Sequence, residues 1–260
     1  VGWCVDAAES ILGSDIPVIL TIINNSPEDR KELIDRIPAG VEVVDTDMNL
    51  GYTGGGNIAI RSWLEGSDSE FAVIGSHDLT VESDALGILL RMAHAFPEFG
   101  ILGPKIEGRD APDSQTLVDA SWLSGTCLLL RRECITCIGG FDEALGSYCE
   151  DVDICWRAVR QGWRVGHCSS ARVAGRGSGS PKARDAAMIN GVRVKRLYKG
   201  NLEAAIEFGC IVVSWLRCLV GSALPFRSGP SRRASWSRFC SLSKSLRNVS
   251  VVWAEPKIST

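Results

Sequence analysis

The sequence predicts an α/β domain: a mostly parallel sheet with helices on both faces. Short apolar runs at Pro17–Ile23, Val41–Val44, Phe71–Ile74 and Gly100–Pro104 alternate with segments of helical spacing, the pattern of a sheet covered on both sides. Polar clusters follow three of these strands, at Asn24–Ser26, Asn49–Asn57 and Ser76–Asp78, where ligands of open α/β sheets bind. With 260 residues, 45% hydrophobic and 23% charged, the chain has ordinary globular composition and ample material for a core, which excludes wholesale disorder.

In order along the chain, Pro17–Ile23 is a buried strand that runs into the turn Asn24-Asn25-Ser26-Pro27. Val41–Val44 is a second strand. Asn49–Asn57 reads as a glycine-rich loop, with a helix starting at Ile58–Leu64. Phe71–Ile74 is the third strand, and Ser83 is placed to cap a helix in which Leu86, Leu89, Leu90 and Ala93 share a face. Gly100–Pro104 is a further strand. A loop around Arg109–Ser114 leads to a second block, with Trp122–Thr126, the apolar run Cys127–Leu130, and Gly139–Glu143 ahead of an acidic cluster. From about Asp185 the pattern is helical. The expected division is a domain over residues 1–200, with a nucleotide-binding part in 1–110 and an acceptor part in 111–200, then a helical basic tail over 201–260.

The net charge of −3 is unevenly spread. From Arg193 to Arg247 the basic residues include Arg217, Arg227, Arg232, Arg233, Arg238, Lys244 and Arg247, and only Glu203 and Glu207 oppose them. Such an asymmetry points to an anionic partner. The tail has no stacking platform of the kind nucleic-acid binders use, and Trp215 and Trp236 beside the arginines suit an anionic membrane surface. Ala204–Leu224 is interrupted by Glu207 and Arg217, so an interfacial helix is expected there rather than a span. The ten cysteines are irregularly spaced, with Cys134 and Cys137 the only close pair. With no signal-peptide pattern ahead of the first motif, reduced and mostly buried thiols are expected in place of a disulfide framework or a zinc site.

Three features carry chemistry. Glycines in Asn49–Asn57 let backbone approach a ligand, though the same residues could simply form a flexible turn. The spacing is neither that of the phosphate-binding lysine loop nor that of the dinucleotide fingerprint. Asp78 ends an apolar strand, where a carboxylate holds a divalent cation or caps a turn. Glu150, Asp151 and Asp153 place three carboxylates within four residues. They read either as the acidic first turn of a helix or as a general base with orienting groups.

The order of these segments, from Pro17 to Lys199, resembles the family 2 glycosyltransferases, particularly the rhamnosyltransferase-like branch. Asn24-Asn25-Ser26 is similar to the end of that family's Asp-Asn-x-Ser turn, and Asn49, Gly51, Gly55, Gly56 and Asn57 to its Asn-x-Gly-x-x-x-Gly-x-Asn segment. Ser76-His77-Asp78 sits where the family carries Asp-x-Asp or Asn-x-Asp. Gly125, Gly139–Glu143, Glu150–Arg157 and Gly162-Trp163 match its most specific stretch.

The resemblance implies a GT-A fold, a nucleotide-diphosphate sugar donor, a glycan or lipid-linked acceptor and Mg²⁺ or Mn²⁺, with inverting displacement at the anomeric carbon. It implies Asp151 as the base, with Glu150 and Asp153 positioning base and acceptor. It further implies Asp78 as the metal ligand beside Ser76, and a donor site built from Asn24, Asn25, Ser26, Asn49, Gly51, Gly55, Gly56 and Asn57. Trp122, Ser124, Gly125 and Arg157 fall on the sugar or acceptor side. A place on the cytoplasmic face of the membrane, in cell-envelope glycan synthesis, follows from the same resemblance and the basic tail. The sequence departs from the family at Ile23, where an Asp is usual, at Ser76, and at Ala171–Gly175, where a metal-binding His is common. Val1–Cys4 falls inside the first helix, so the family's first strand is expected to be missing. The alternative reading is a non-catalytic GT-A-like domain that binds a glycan, a nucleotide or a partner protein.

Overall fold

The computed structural model describes residues 1–108, 117–177 and 181–223. Two compact units are present: Val1–Gly146 with Glu150–Gly177, and Ser147–Cys149 with Ser178–Thr260. The basic residues beyond position 223, Trp236 and the expected loop around Arg109–Ser114 lie outside the described residues.

The first unit opens with helix α1 (Gly2–Leu12), which buries Val5, Ala7 and Ala8. Strand β1 (Thr21–Asn24), helix α2 (Arg30–Arg36) and strand β2 (Glu42–Asp45) form a parallel unit, with Thr21 opposite Glu42 and Asn24 opposite Asp45. The strand expected over Pro17–Ile23 is thus shorter and shifted, and Ile19 is 98% exposed. Helix α3 (Gly51–Gly66), strands β3 (Phe71–Gly75) and β4 (Leu79–Val81), helix α4 (Ala85–Ala95) and strand β5 (Phe99–Ile106) follow. Asp84 rather than Ser83 precedes α4 as its N-cap. Then come β6 (Leu117–Asp119), β7 (Cys127–Arg131), α5 (Arg132–Ile138), α6 (Glu150–Arg160) and β8 (Arg164–Gly175).

The main sheet has strand order β3-β7-β5-β8-β4, with β6 also on β8. It is mixed, which corrects the expectation of a mostly parallel sheet. Only β5 and β8 pair in parallel within it; β7 runs against both β3 and β5, while β4 and β6 run against β8. Parallel neighbours need a long crossover, which the stretch through β6, β7, α5 and α6 supplies between β5 and β8. Strand β7, which begins that stretch's second half, enters the sheet antiparallel between β3 and β5 and so breaks the parallel run.

Side chains alternate across this sheet. On β7, Leu128 and Leu130 join Ile60, Trp63, Ile135 and Ile154 in one core, while Leu129 joins Leu86, Leu89 and Phe99 in the other. Every residue of β7 is buried, as burial on both faces requires. The nine described cysteines form no disulfide among the described residues, and burial pushes the thiols of Cys127, Cys134 and Cys155 up to about 12. Buried thiols of this kind act as small apolar residues.

The second unit is a pair of helices, α7 (Pro181–Tyr198) and α8 (Asn201–Ala223). Val192, Ala204 and Ile211 are buried between them, with Met188, Phe208 and Trp215 packed alongside. Lys195 bridges to Glu207 at 2.7 Å. Among the described residues, no helix is long and apolar enough to cross a membrane.

Candidate active site

The acidic cluster occupies the first turn of α6, with Arg157 and Arg160 in the last turn, so its charges complement the helix dipole at both ends. Its three carboxylates are differently placed. Asp153 is 2% exposed and accepts from Arg157 Nε at 2.9 Å and Nη2 at 2.8 Å. The same guanidinium donates to the carbonyls of Ile138 and Gly140, both at 2.7 Å. Arg157, expected on the acceptor side, therefore ties α6 to the end of α5. Asp151 Oδ2 accepts the Gly125 N–H at 2.9 Å, and its Oδ1 accepts the Val152 N–H at 2.9 Å. Glu150 is 6% exposed, and its Oε1 lies 3.4 Å from where a Cβ at Gly125 would stand.

The segment expected as a glycine-rich loop is largely helical: α3 begins at Gly51. Its glycines permit close packing. A Cβ at Gly55 would meet Asn25 Nδ2 at 3.1 Å, and one at Gly56 would meet the Phe141 ring at 2.8 Å. Asn57 donates through Nδ2 to Phe141 O at 2.9 Å and Glu143 Oε1 at 3.0 Å, and its Oδ1 accepts the Phe141 N–H at 2.8 Å. Two stretches read separately in the sequence are thus one interlocked structure. On the other side, Asn25 donates to Gly51 O at 2.7 Å and accepts from Leu50 N–H and Thr46 Oγ1, both at 3.1 Å. Asn24 donates to Asp45 at 2.8 Å and accepts the Ser26 N–H at 3.2 Å, while Asn49 accepts the Gly51 N–H at 2.9 Å.

Tyr52, in the first turn of α3, reaches the acidic cluster. Its hydroxyl donates to Gly125 O at 2.5 Å. Burial, reinforced by the carboxylates of Glu150 and Asp151 and by Cys127, raises its pKa well above the ordinary phenol value, so it stays a neutral donor. Sequence reasoning passed over Tyr52; the available signal was a bulky phenol amid glycines.

The third element arrives through the register of β3 on β7, which sets Gly75 opposite Cys127. The Ser76 N–H donates to Thr126 O at 3.0 Å, and a Cβ at Gly175, at the end of β8, would lie 3.1 Å from Thr126 Cγ2. Thr126 thus joins three segments, and Ser124 Oγ is 3.1 Å from its hydroxyl. Asp78 is 8% exposed, and its carboxylate has no hydrogen-bond or ion-pair partner among the described residues. Its carbonyl accepts the Arg176 N–H at 3.2 Å, and a Cβ at Gly177 would stand 2.5 Å from its Oδ2. Ser76 Oγ is buried without a hydrogen-bond partner among the described residues. Trp122 stands 46% exposed.

No group of three His, Cys, Asp or Glu side chains placed to hold a metal occurs among the described residues. A buried, unpaired carboxylate nonetheless fits a hard cation that takes most of its oxygens from phosphates and water.

The family model described as Glycosyl transferase family group 2 matches residues 109–251, more than half of the chain. A Mycobacterium tuberculosis N-acetylglucosaminyl-diphospho-decaprenol L-rhamnosyltransferase is 26% identical over 208 residues, covering 62% of this chain and 67% of the relative. The low-salt glycan biosynthesis hexosyltransferase Agl10 of Haloferax volcanii is 24% identical over 152 residues, 49% of each chain; the chain thus spans about half the length of that relative. Among solved structures, the mannosyltransferase PcManGT from Pyrobaculum calidifontis, in complex with GDP-Man and Mn²⁺, superposes with a TM-score of 0.61 at 15% identity, over 98% of this chain and 84% of that one. Staphylococcus aureus TarS gives 0.54 at 15% identity, over 97% of this chain and 48% of that one. The likeness shows a GT-A fold. The chain belongs to the glycosyl transferase family group 2 and is a glycosyltransferase of the hexosyl- or rhamnosyltransferase-like kind.

Proposed function

We infer that this domain transfers a hexosyl or deoxyhexosyl group from a nucleotide-diphosphate sugar to a glycan or isoprenyl-diphosphate-linked sugar, with inversion. The observation that carries the reading is the convergence on Gly125 and Thr126. Asp151 is held by the Gly125 N–H, Tyr52 by the Gly125 carbonyl, and the Ser76–Asp78 turn by the Thr126 carbonyl.

In this arrangement Asp151 takes the proton of the acceptor hydroxyl as that oxygen bonds to the anomeric carbon. The bond from that carbon to the donor's diphosphate breaks on the opposite face, and its electron pair leaves on the diphosphate. A positioned base contributes about 10²–10⁴ in rate. Asp78 would hold Mg²⁺ or Mn²⁺ there, which neutralises charge on the diphosphate. Asn24, Asn25 and Ser26 build the floor under the start of α3 on the donor side, and Trp122 offers an exposed face to the acceptor sugar. The GDP-Man and Mn²⁺ held by the Pyrobaculum calidifontis mannosyltransferase support this reading.

Attachment to an anionic membrane surface belongs to the same reading. Leu202, Ile206, Val213 and Leu216 of α8 are exposed, and basic residues follow in the sequence, a combination suited to an interface.

The test is Asp151→Asn, assayed for release of nucleoside diphosphate from a panel of uridine, guanosine and thymidine diphosphate sugars with Mn²⁺ and a prenyl-diphosphate-linked acceptor. Loss of at least 100-fold in kcat with donor-induced thermal stabilisation retained is expected. Full activity in this variant would overturn the assignment.

A further inference from the structure

We propose that Tyr52 is a positioning residue for transfer: its hydroxyl fixes the Gly125 backbone so that the Gly125 N–H holds the Asp151 carboxylate in its working orientation. The proposal rests on the reading of Asp151 as the base.

Gly125 is gripped from two directions. Its carbonyl accepts from Tyr52 Oη at 2.5 Å, and its N–H donates to Asp151 Oδ2 at 2.9 Å. The residue has no side chain to hold it otherwise. Its position faces Glu150 Oε1, Asp151 Cβ and Tyr52 Oη at 3.4–3.6 Å from a would-be Cβ, so it sits inside the acidic cluster. Tyr52 itself is anchored well. Its ring lies edge-on to Phe141 with centroids 5.6 Å apart, and the next residue, Thr53, donates its N–H and hydroxyl to Gly146 O at 3.0 and 3.1 Å. Phe141 is in turn pinned by Asn57.

A rigid chain of contacts therefore runs from the body of α3 through the phenol to Gly125 and on to the carboxylate. A misplacement of about 1 Å at a reacting group costs on the order of 10²-fold in rate. The phenol touches neither reacting atom in this scheme; it acts through Gly125. The two hydrogen bonds on Gly125 also explain why a phenol is set among the glycines of α3, where a phenyl ring would serve the apolar contact with Phe141 equally well.

The experiment is Tyr52→Phe, which keeps the ring, alone and combined with Asp151→Asn. It uses the full chain with the donor from the panel above that gives the largest thermal shift. The expected result is a 10- to 100-fold fall in kcat, with donor KM within twofold and the urea midpoint little changed. In the Asp151→Asn background the Tyr52→Phe substitution should have no further effect, because the group it positions is gone. Wild-type kcat in Tyr52→Phe overturns the proposal even when Asp151→Asn is inactive, and so does an equal fold-loss in both backgrounds, which marks a purely structural contact. Full activity of Asp151→Asn refutes the underlying base assignment instead.

Discussion

Replacing Arg157 with Met removes the guanidinium while keeping most of the apolar stem. In the folded protein this takes the Arg157 guanidinium away from the Asp153 carboxylate, whose side chain is 3% exposed. The carbonyls of Ile138 and Gly140 lose donors that stand at 2.7 Å. Breaking one side of a buried ion pair costs about 3–5 kcal/mol. Because the Arg157 side chain is 22% exposed, water recovers part of that loss, and about 3 kcal/mol is expected. At a urea dependence of about 2 kcal/mol/M, the unfolding midpoint, followed by tryptophan fluorescence, should fall by roughly 1.5 M. The double variant Asp153→Leu with Arg157→Met should be more stable than Arg157→Met alone, since an apolar pair replaces a buried ion pair at little cost. A midpoint shift below about 0.5 M in the single variant would refute this reasoning.

Three further outcomes are expected. Gly56→Ala gains about 1 kcal/mol of helix propensity but drives a methyl to 2.8 Å from the buried Phe141 ring, so a net loss of about 1–2 kcal/mol in urea unfolding is expected; Gly66→Ala, which meets nothing within 4 Å, should be neutral or stabilising. His167 has its pKa lowered, first by burial and then by Lys105. The unfolded chain therefore binds that proton more readily, and stability should be complete above about pH 6.5 and decline as the pH falls below it. His167→Gln should flatten that slope in melting temperature against pH. Saturating nucleotide-diphosphate sugar with Mn²⁺ should stabilise the protein by about 2.7 kcal/mol at one hundred times Kd, and Asp78→Asn should abolish the part that depends on Mn²⁺; an unchanged Mn²⁺ effect would remove Asp78 from the metal.

Strand and helix positions were legible where one face or both faces are apolar. Phe71–Ile74 and Val41–Val44 form strands close to the expected places, and the apolar run Cys127–Leu130 is a strand as well. Strand direction was not legible, because the run Cys127–Leu130, buried on both faces, reads the same whichever way it lies beside its neighbours. The helix at Gly51 was hidden for a different reason: low intrinsic propensity is overridden there by Phe141 and Asn25, contacts far apart in sequence. Within the candidate site, the acidic cluster announced itself through its charge density. The different contacts of Asp151 and Asp153 did not, since charge density does not say which carboxylate meets Arg157 and which meets Gly125. Tyr52 acts on the carbonyl of a residue far away in sequence and Thr126 through a strand register, so the partner of neither could be read from the local pattern.

The glycines at the start of α3 also bear on the order in which the chain folds. Gly54, Gly55 and Gly56 together cost about 3 kcal/mol of helix propensity relative to alanine, in the turns where a helix is hardest to begin. That end of α3 cannot persist by itself. It becomes stable only once Asn25 and Thr46 are in place on one side and Phe141 and Gly146 on the other. The two flanks are separated by most of the domain's length, so this turn closes late, and closing it brings Tyr52 to Gly125. Amide protons of Gly54–Gly56 should accordingly exchange only through large-scale opening, and a nascent chain that has not yet reached Gly146 has no stable start to α3.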